Sequence, residues 1–146
     1  MYSRQHVRGL RERARNAAYS APNYFWRLGV GKLRRCYNGI GPDRWSKRFR
    51  ALVTRLLALF ETEALIHDVE YTYQPKTYRH FTVANLRFAY NGIVAAWYDH
   101  GMFCRAFYRQ AGAGILLAVL CQLFGWSGYK STLPAVLQQM ENKEEA

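Results

Sequence analysis

Apolar side chains return every three or four positions through most of this chain, the spacing of one helical face, and no stretch reads as β-rich. Over Tyr2 to Tyr19, Val7, Leu10, Ala14 and Ala17 share one stripe and Arg4, Arg8, Arg11 and Arg15 another, which predicts a basic amphipathic helix. Ser20, Ala21, Pro22 and Asn23 break it, and the aromatic run Tyr24, Phe25 and Trp26 leads into a glycine-containing basic connector ending at Arg34 and Arg35. The turn-formers of the stretch YNGIGP, Tyr37 to Pro42, exclude regular structure there. From about Ser46 to Tyr71, Phe49, Leu52, Leu56, Phe60 and Leu65 repeat at helical spacing, predicting one long helix or two joined near Glu61 and Thr62. Gln74 and Pro75 end it, Lys76 to His80 read as a loop, and Phe81 to Tyr98 predict a further helix with Thr82 as N-cap. Beyond Gly101 the pattern stays helical to about Phe124, turns at Gly125 to Gly128, and closes with an amphipathic piece through Leu133, Val136, Leu137 and Met140 before an acidic end. The expected class is mainly α.

With 146 residues, half of them apolar and 16% aromatic, the chain has the length and composition for one domain with a core and extensions. Its charge changes the picture. Twenty-one Lys and Arg against ten Asp and Glu give +11, and 13 of the cations lie in the first 50 residues, opposed there only by Glu12 and Asp43. Such a field attracts polyanions: nucleic acid, anionic phospholipid membrane or an acidic protein partner. Cys36, Cys104 and Cys121 are odd in number and widely spaced, which excludes a disulfide framework and a CxxC zinc site. The first 25 residues are arginine-rich without an apolar segment, so no secretory signal is expected. Ala111 to Trp126 run apolar for 16 residues with only Gln122 interrupting, shorter than the roughly 20 that span a bilayer, and read as a buried core helix. Trp26, Trp45, Trp97 and Trp126 suit a bilayer interface by their amphipathic rings, but packing is their commoner role.

The residues with chemistry cluster in two places. A loop with glycines turns several backbone carbonyls toward one point, and those carbonyls with one carboxylate make a hard-oxygen site suited to Ca²⁺. On the following helix His67 and Asp68 are adjacent, so their side chains diverge by about 100 degrees and suit divided labour. The carboxylate holds a cation while the imidazole activates a water as general base. Tyr71, four residues on, shares the face of His67. His6, His80 and His100 stand alone and read as surface or hydrogen-bonded side chains.

Tyr37-Asn38-Gly39-Ile40-Gly41 and His67-Asp68-Val69-Glu70-Tyr71 resemble the Y-x-G-x-G calcium loop and the H-D-x-x-Y helix of the phospholipase A2 superfamily. Ala84-Asn85-Leu86-Arg87-Phe88 looks like the A-D-x-x-F segment of parvoviral capsid phospholipases, and NGxGP before HDxxY is similar to short bacterial and phage proteins. The resemblance covers Tyr37 to Phe88 and implies a phospholipase A2-like helical domain over 36–132, a basic extension over 1–35 and an amphipathic, acidic tail over 133–146. It implies calcium held by the carbonyls of Tyr37, Gly39 and Gly41 and the carboxylate of Asp68. His67 is then general base for sn-2 ester hydrolysis, and Tyr71 steadies the site. Where the family has an aspartate to accept a hydrogen bond from the imidazole, this chain has Asn85, and a neutral amide cannot stabilise the imidazolium. The expectation is therefore a weak or degenerate phospholipase A2-like domain, serving as a membrane-associated or structural subunit of a larger assembly such as a virion or membrane complex. The alternative is an active calcium-dependent phospholipase A2. Nucleic-acid binding by the arginine-rich segment is a third reading with charge alone behind it.

Overall fold

The computed structural model describes residues 2–37 and 58–131, and over these the fold is mainly α, with no strand among the described residues. Gly39, Gly41 and the rest of the YNGIGP loop after Tyr37 lie outside the described residues. So do the predicted helix from Ser46 up to Leu57 and the C-terminal amphipathic piece.

Helix α1 (Arg4–Asn16) forms as its stripes predict: Ser3 caps it by accepting from the His6 N–H at 3.0 Å, and Val7, Leu10 and Ala14 are buried. Its apolar face joins the same core as the rest of the chain, packed with Leu33, Leu65, Val69 and Phe88. The expected connector is instead two short helices, α2 (Asn23–Arg27) and α3 (Val30–Cys36), entered from extended residues at Pro22 and Gly29. Burial of Phe25, Leu33 and Cys36 supplies what their short length lacks.

Helix α4 (Glu61–Tyr73) begins after a break at Leu59 and Phe60, as the two-helix form of the prediction has it, and Glu61 places negative charge in the first turn. Helix α5 (Tyr78–His100) starts four residues earlier than Thr82, because Thr77 has the extended backbone of an N-cap and accepts from the His80 N–H at 3.3 Å. Gly101, at φ 71, closes α5 with an N–H to the Trp97 carbonyl at 2.8 Å, a conformation that glycine adopts without strain. Helix α6 (Arg105–Phe124) and helix α7 (Trp126–Ser131) follow, so the turn expected over Gly125 to Gly128 is reduced to Gly125.

Helices α5 and α6 form an antiparallel hairpin, as Asn85 meets Gln122 near one end and Asp99 meets Gln110 near the other. Midway the backbones almost touch: a Cβ on Gly114 would lie 3.1 Å from the Gly92 Cα and 3.3 Å from the Phe60 ring. Small residues, Ala84, Ala95, Ala96 and Ala118, continue this seam. Polar clasps then tie the N-terminal half to the hairpin. Arg13 donates twice to the Asp99 carboxylate, at 2.8 and 2.7 Å, and Asn91 closes a reciprocal pair with the Ser20 backbone, both bonds 2.8 Å. Arg87 pairs with the fully buried Glu70.

Glu63 is buried, has no ion pair among the described residues, and accepts from the Tyr19 hydroxyl at 2.9 Å. Burial pushes its carboxyl up to about 7, against the opposing pull of hydrogen bonds and of Arg13.

Two outcomes are expected. Between about pH 4.5 and 7 the folded chain keeps a proton on Glu63 that the unfolded chain has lost. Stability from this group is thus full below pH 4.5 and falls as pH rises, by on the order of 3 kcal/mol in total. In urea titrations Glu63→Gln, which keeps the acceptor for Tyr19, flattens that slope relative to wild type. Gly114→Ala lowers stability by about 1–2 kcal/mol in the same assay because a neighbouring backbone has to move, whereas Gly112→Ala, with no atom within 4 Å of its Cβ, raises it by up to about 1 kcal/mol.

Candidate functional site

Helix α4 is buried on nearly every side, with Leu65, Ile66, Val69 and Glu70 all at 1% exposure or less, so its polar side chains need partners inside the protein. His67 is 8% exposed. Its ring lies against Tyr71, with centroids 3.9 Å apart, and edge-on to Phe88. Asn85, 3% exposed, reaches it from α5.

These three side chains converge on one atom. The Asn85 carbonyl oxygen Oδ1 lies 2.8 Å from His67 Nε2 and accepts from the Tyr71 hydroxyl at 2.9 Å, while its amide nitrogen donates to Gln122 Oε1 at 2.7 Å. A carbonyl oxygen only accepts, so Nε2 carries a hydrogen, and the neutral form of the ring has its lone pair on Nδ1. Nδ1 is the nitrogen on the Asp68 side, 3.9 Å from Oδ1 of that carboxylate, beyond hydrogen-bond length as adjacent helical positions require. The arrangement fixes tautomer and ring orientation and leaves the basic nitrogen on the side of the carboxylate. Burial holds the Tyr71 phenol well above its ordinary pKa, so it stays a donor.

Of the four expected calcium ligands, Tyr37 and Asp68 are described, and Gly39 and Gly41 lie outside the described residues. Tyr37 ends α3, its N–H bonded to the Leu33 carbonyl at 3.1 Å, and α3 packs on α4. Burial raises the Cys36 thiol and the Tyr37 phenol, and the nearby Asp68 carboxylate adds to both. The chain therefore leaves α3 beside the turn of α4 that carries Asp68. No cluster of three His, Cys, Asp or Glu suited to a metal exists among the described residues. A site built of loop carbonyls and one carboxylate needs no such cluster, and the hard oxygen of Asp68, with its side chain 27% exposed, is of the right chemistry for calcium.

Sequence reasoning missed Gln122, noted only as a polar interruption in an apolar run. Its amide nitrogen donates to the Tyr78 hydroxyl at 3.0 Å and to Thr82 Oγ1 at 3.2 Å, extending the network across the hairpin. A lone amide in an otherwise apolar helix was the signal. Asp99 and His100, a second adjacent Asp/His pair, make structural contacts: Asp99 holds Arg13 and Gln110, and His100 Nε2 lies 2.8 Å from Gln110 Oε1. No family model, curated protein or solved structure matches this chain.

Asn85→Ala leaves the His67 N–H and Tyr71 hydroxyl buried without their acceptor, and a loss of about 2–3 kcal/mol is expected by chemical denaturation. The His67 nitrogen chemical shifts of the same variant should lose the single-tautomer signature of wild type.

Proposed function

We propose that this chain is a phospholipase A2-like domain of low turnover, serving as a membrane-associated subunit of a larger protein assembly. The observation that carries the reading is the meeting of His67 Nε2 and the Tyr71 hydroxyl on the Asn85 carbonyl. A histidine held by an acceptor on Nε2, with Nδ1 toward a carboxylate, is the disposition of a general base that takes a proton from water. His67 has that role, Asn85 and Tyr71 orient it, and Asp68 with the carbonyls of Tyr37, Gly39 and Gly41 holds calcium. Calcium at that position supplies Lewis-acid polarisation of an ester carbonyl.

Low turnover follows from the chemistry of the acceptor. When the imidazole takes a proton, a carboxylate at its far nitrogen compensates the new charge, whereas an amide offers only a dipole. The loss is worth orders of magnitude in rate. The alternative, an active enzyme, draws on the same tautomer, since neutral His67 already has its basic nitrogen free of the Asn85 contact.

Asn85→Asp separates the two readings, and the neighbouring side chains can meet its hydrogen bonds although the buried charge costs some stability. Rotating the Gln122 amide end for end presents Nε2 to the new carboxylate, and the hydroxyls of Tyr78 and Thr82 then donate to Oε1 instead of accepting. Calcium-dependent release of fatty acid from anionic vesicles is expected to be at or near background in wild type. It should rise by about tenfold or more in Asn85→Asp and vanish with added His67→Ala or chelator. Full activity in wild type establishes the alternative. Failure of both proteins to hydrolyse lipid removes the hydrolase chemistry assigned to His67.

A further inference from the structure

Helix α6 was expected to be a buried core helix, and it is not. It is long and apolar enough to cross a membrane by length and composition, yet only 22% of its most apolar stretch is buried. Ile115, Leu116, Val119 and Leu123 point outward at 44 to 67% exposure. Helix α5 adds a parallel stripe on its own outer side: Leu86 is 65% and Trp97 58% exposed. The glycine seam holds the two helices side by side with both stripes turned away from it, and together they expose far more apolar surface than the single leucines that soluble surfaces tolerate.

We propose that this outer face of the α5–α6 hairpin embeds in the headgroup and acyl boundary of a phospholipid bilayer, lying in the membrane plane. The charge distribution selects lipid as the occupant. From His80 to Tyr98 the only charged residue is Arg87, which is turned inward to Glu70, and from Gln110 to Tyr129 there is none. Cations stand just beyond both limits, Arg79 and Lys130 at one end and Arg105 and Arg109 at the other, where the one acid, Asp99, is paired with Arg13. An uncharged strip ended by basic side chains matches acyl chains flanked by anionic headgroups. Trp97, Tyr98 and Tyr108 sit exposed near the Arg105 end, where rings with one polar edge favour the interface. The seam itself rests on close backbone approach, a packing mode that does not depend on water around the hairpin.

This inference rests on the membrane-association part of the proposed function and is independent of the hydrolase part. It is therefore measured with chelator present, by flotation of the full chain with vesicles of phosphatidylcholine, alone or mixed with phosphatidylglycerol. Wild type should bind both, more tightly when phosphatidylglycerol is present, and remain bound at high salt. Leu86→Glu/Leu116→Glu/Leu123→Glu, at exposed positions and with helicity checked by circular dichroism, should lose the salt-resistant binding by at least about tenfold. Neutralising Arg4, Arg8 and Arg15 should remove only a salt-sensitive part. Quenching of tryptophan emission by acyl-chain bromine should be weaker in Trp97→Phe than in wild type, a readout that stands even if the glutamate variant misfolds. Release of wild type by salt overturns the proposal, as does unchanged binding of a natively helical glutamate variant. A lipid-free dimer abolished by the same substitutions, with no vesicle binding, assigns the face to a second copy instead and also overturns it.

Discussion

The approach of Gly92 to Gly114 sets the spacing on which the rest of the hairpin depends. With no side chain at either position, α5 and α6 come together until the next atoms met are backbone and the Phe60 ring. That separation lets short polar side chains span the seam at both ends: Asn85 to Gln122 at 2.7 Å, and Gln110 to Asp99 at 3.0 Å. A methyl group between the helices would force them apart by a few tenths of an ångström and lengthen both contacts, so packing at the middle and polar geometry at the ends are linked.

The protein buries polar groups in three different ways, each matched to its neighbours. Glu70 is ion-paired, its carboxylate facing Arg87, which itself binds Ser20 Oγ at 3.2 Å. Glu63 has the Tyr19 hydroxyl as partner and, pushed up to about 7 by burial, keeps its proton in acid up to near neutral pH. Asn85 is neutral by composition and uses its carbonyl and its amide on opposite helices. A buried carboxylate at position 85 would carry a desolvation cost that Glu70 offsets with a cation and Glu63 with a proton. Among the described residues no cation bonds to the Asn85 amide, which is one physical reason an amide is comfortable there.

Much of this was legible in the chain. The stripes of α1 and the HDxxY register of α4 both follow from a 3.6-residue period, and the spacing of His67 and Tyr71 already put them on one face. The beginning of α5 differs because Thr77 and Thr82 are equally good caps in isolation, and the extended backbone and side-chain bond of Thr77 make it the cap. Phe25 and Leu33 gave little sign of α2 and α3, since helices of five and seven residues are too short to show a period. The outward turn of Leu116 and Leu123 was hidden for another reason: hydrophobicity shows that a side chain avoids water without showing what it meets. The partnership of Asn85 with Gln122 joins positions 37 residues apart, a separation that no local pattern encodes.

Asn85 has a final consequence. One side chain engages α4 through two donors, belongs to α5 and grips α6 through Gln122, so three helices share it as a fastener. The orientation of the imidazole and the integrity of the scaffold are therefore written into the same few atoms. Drift at that position therefore disturbs the packing of three helices and the setting of the imidazole at once.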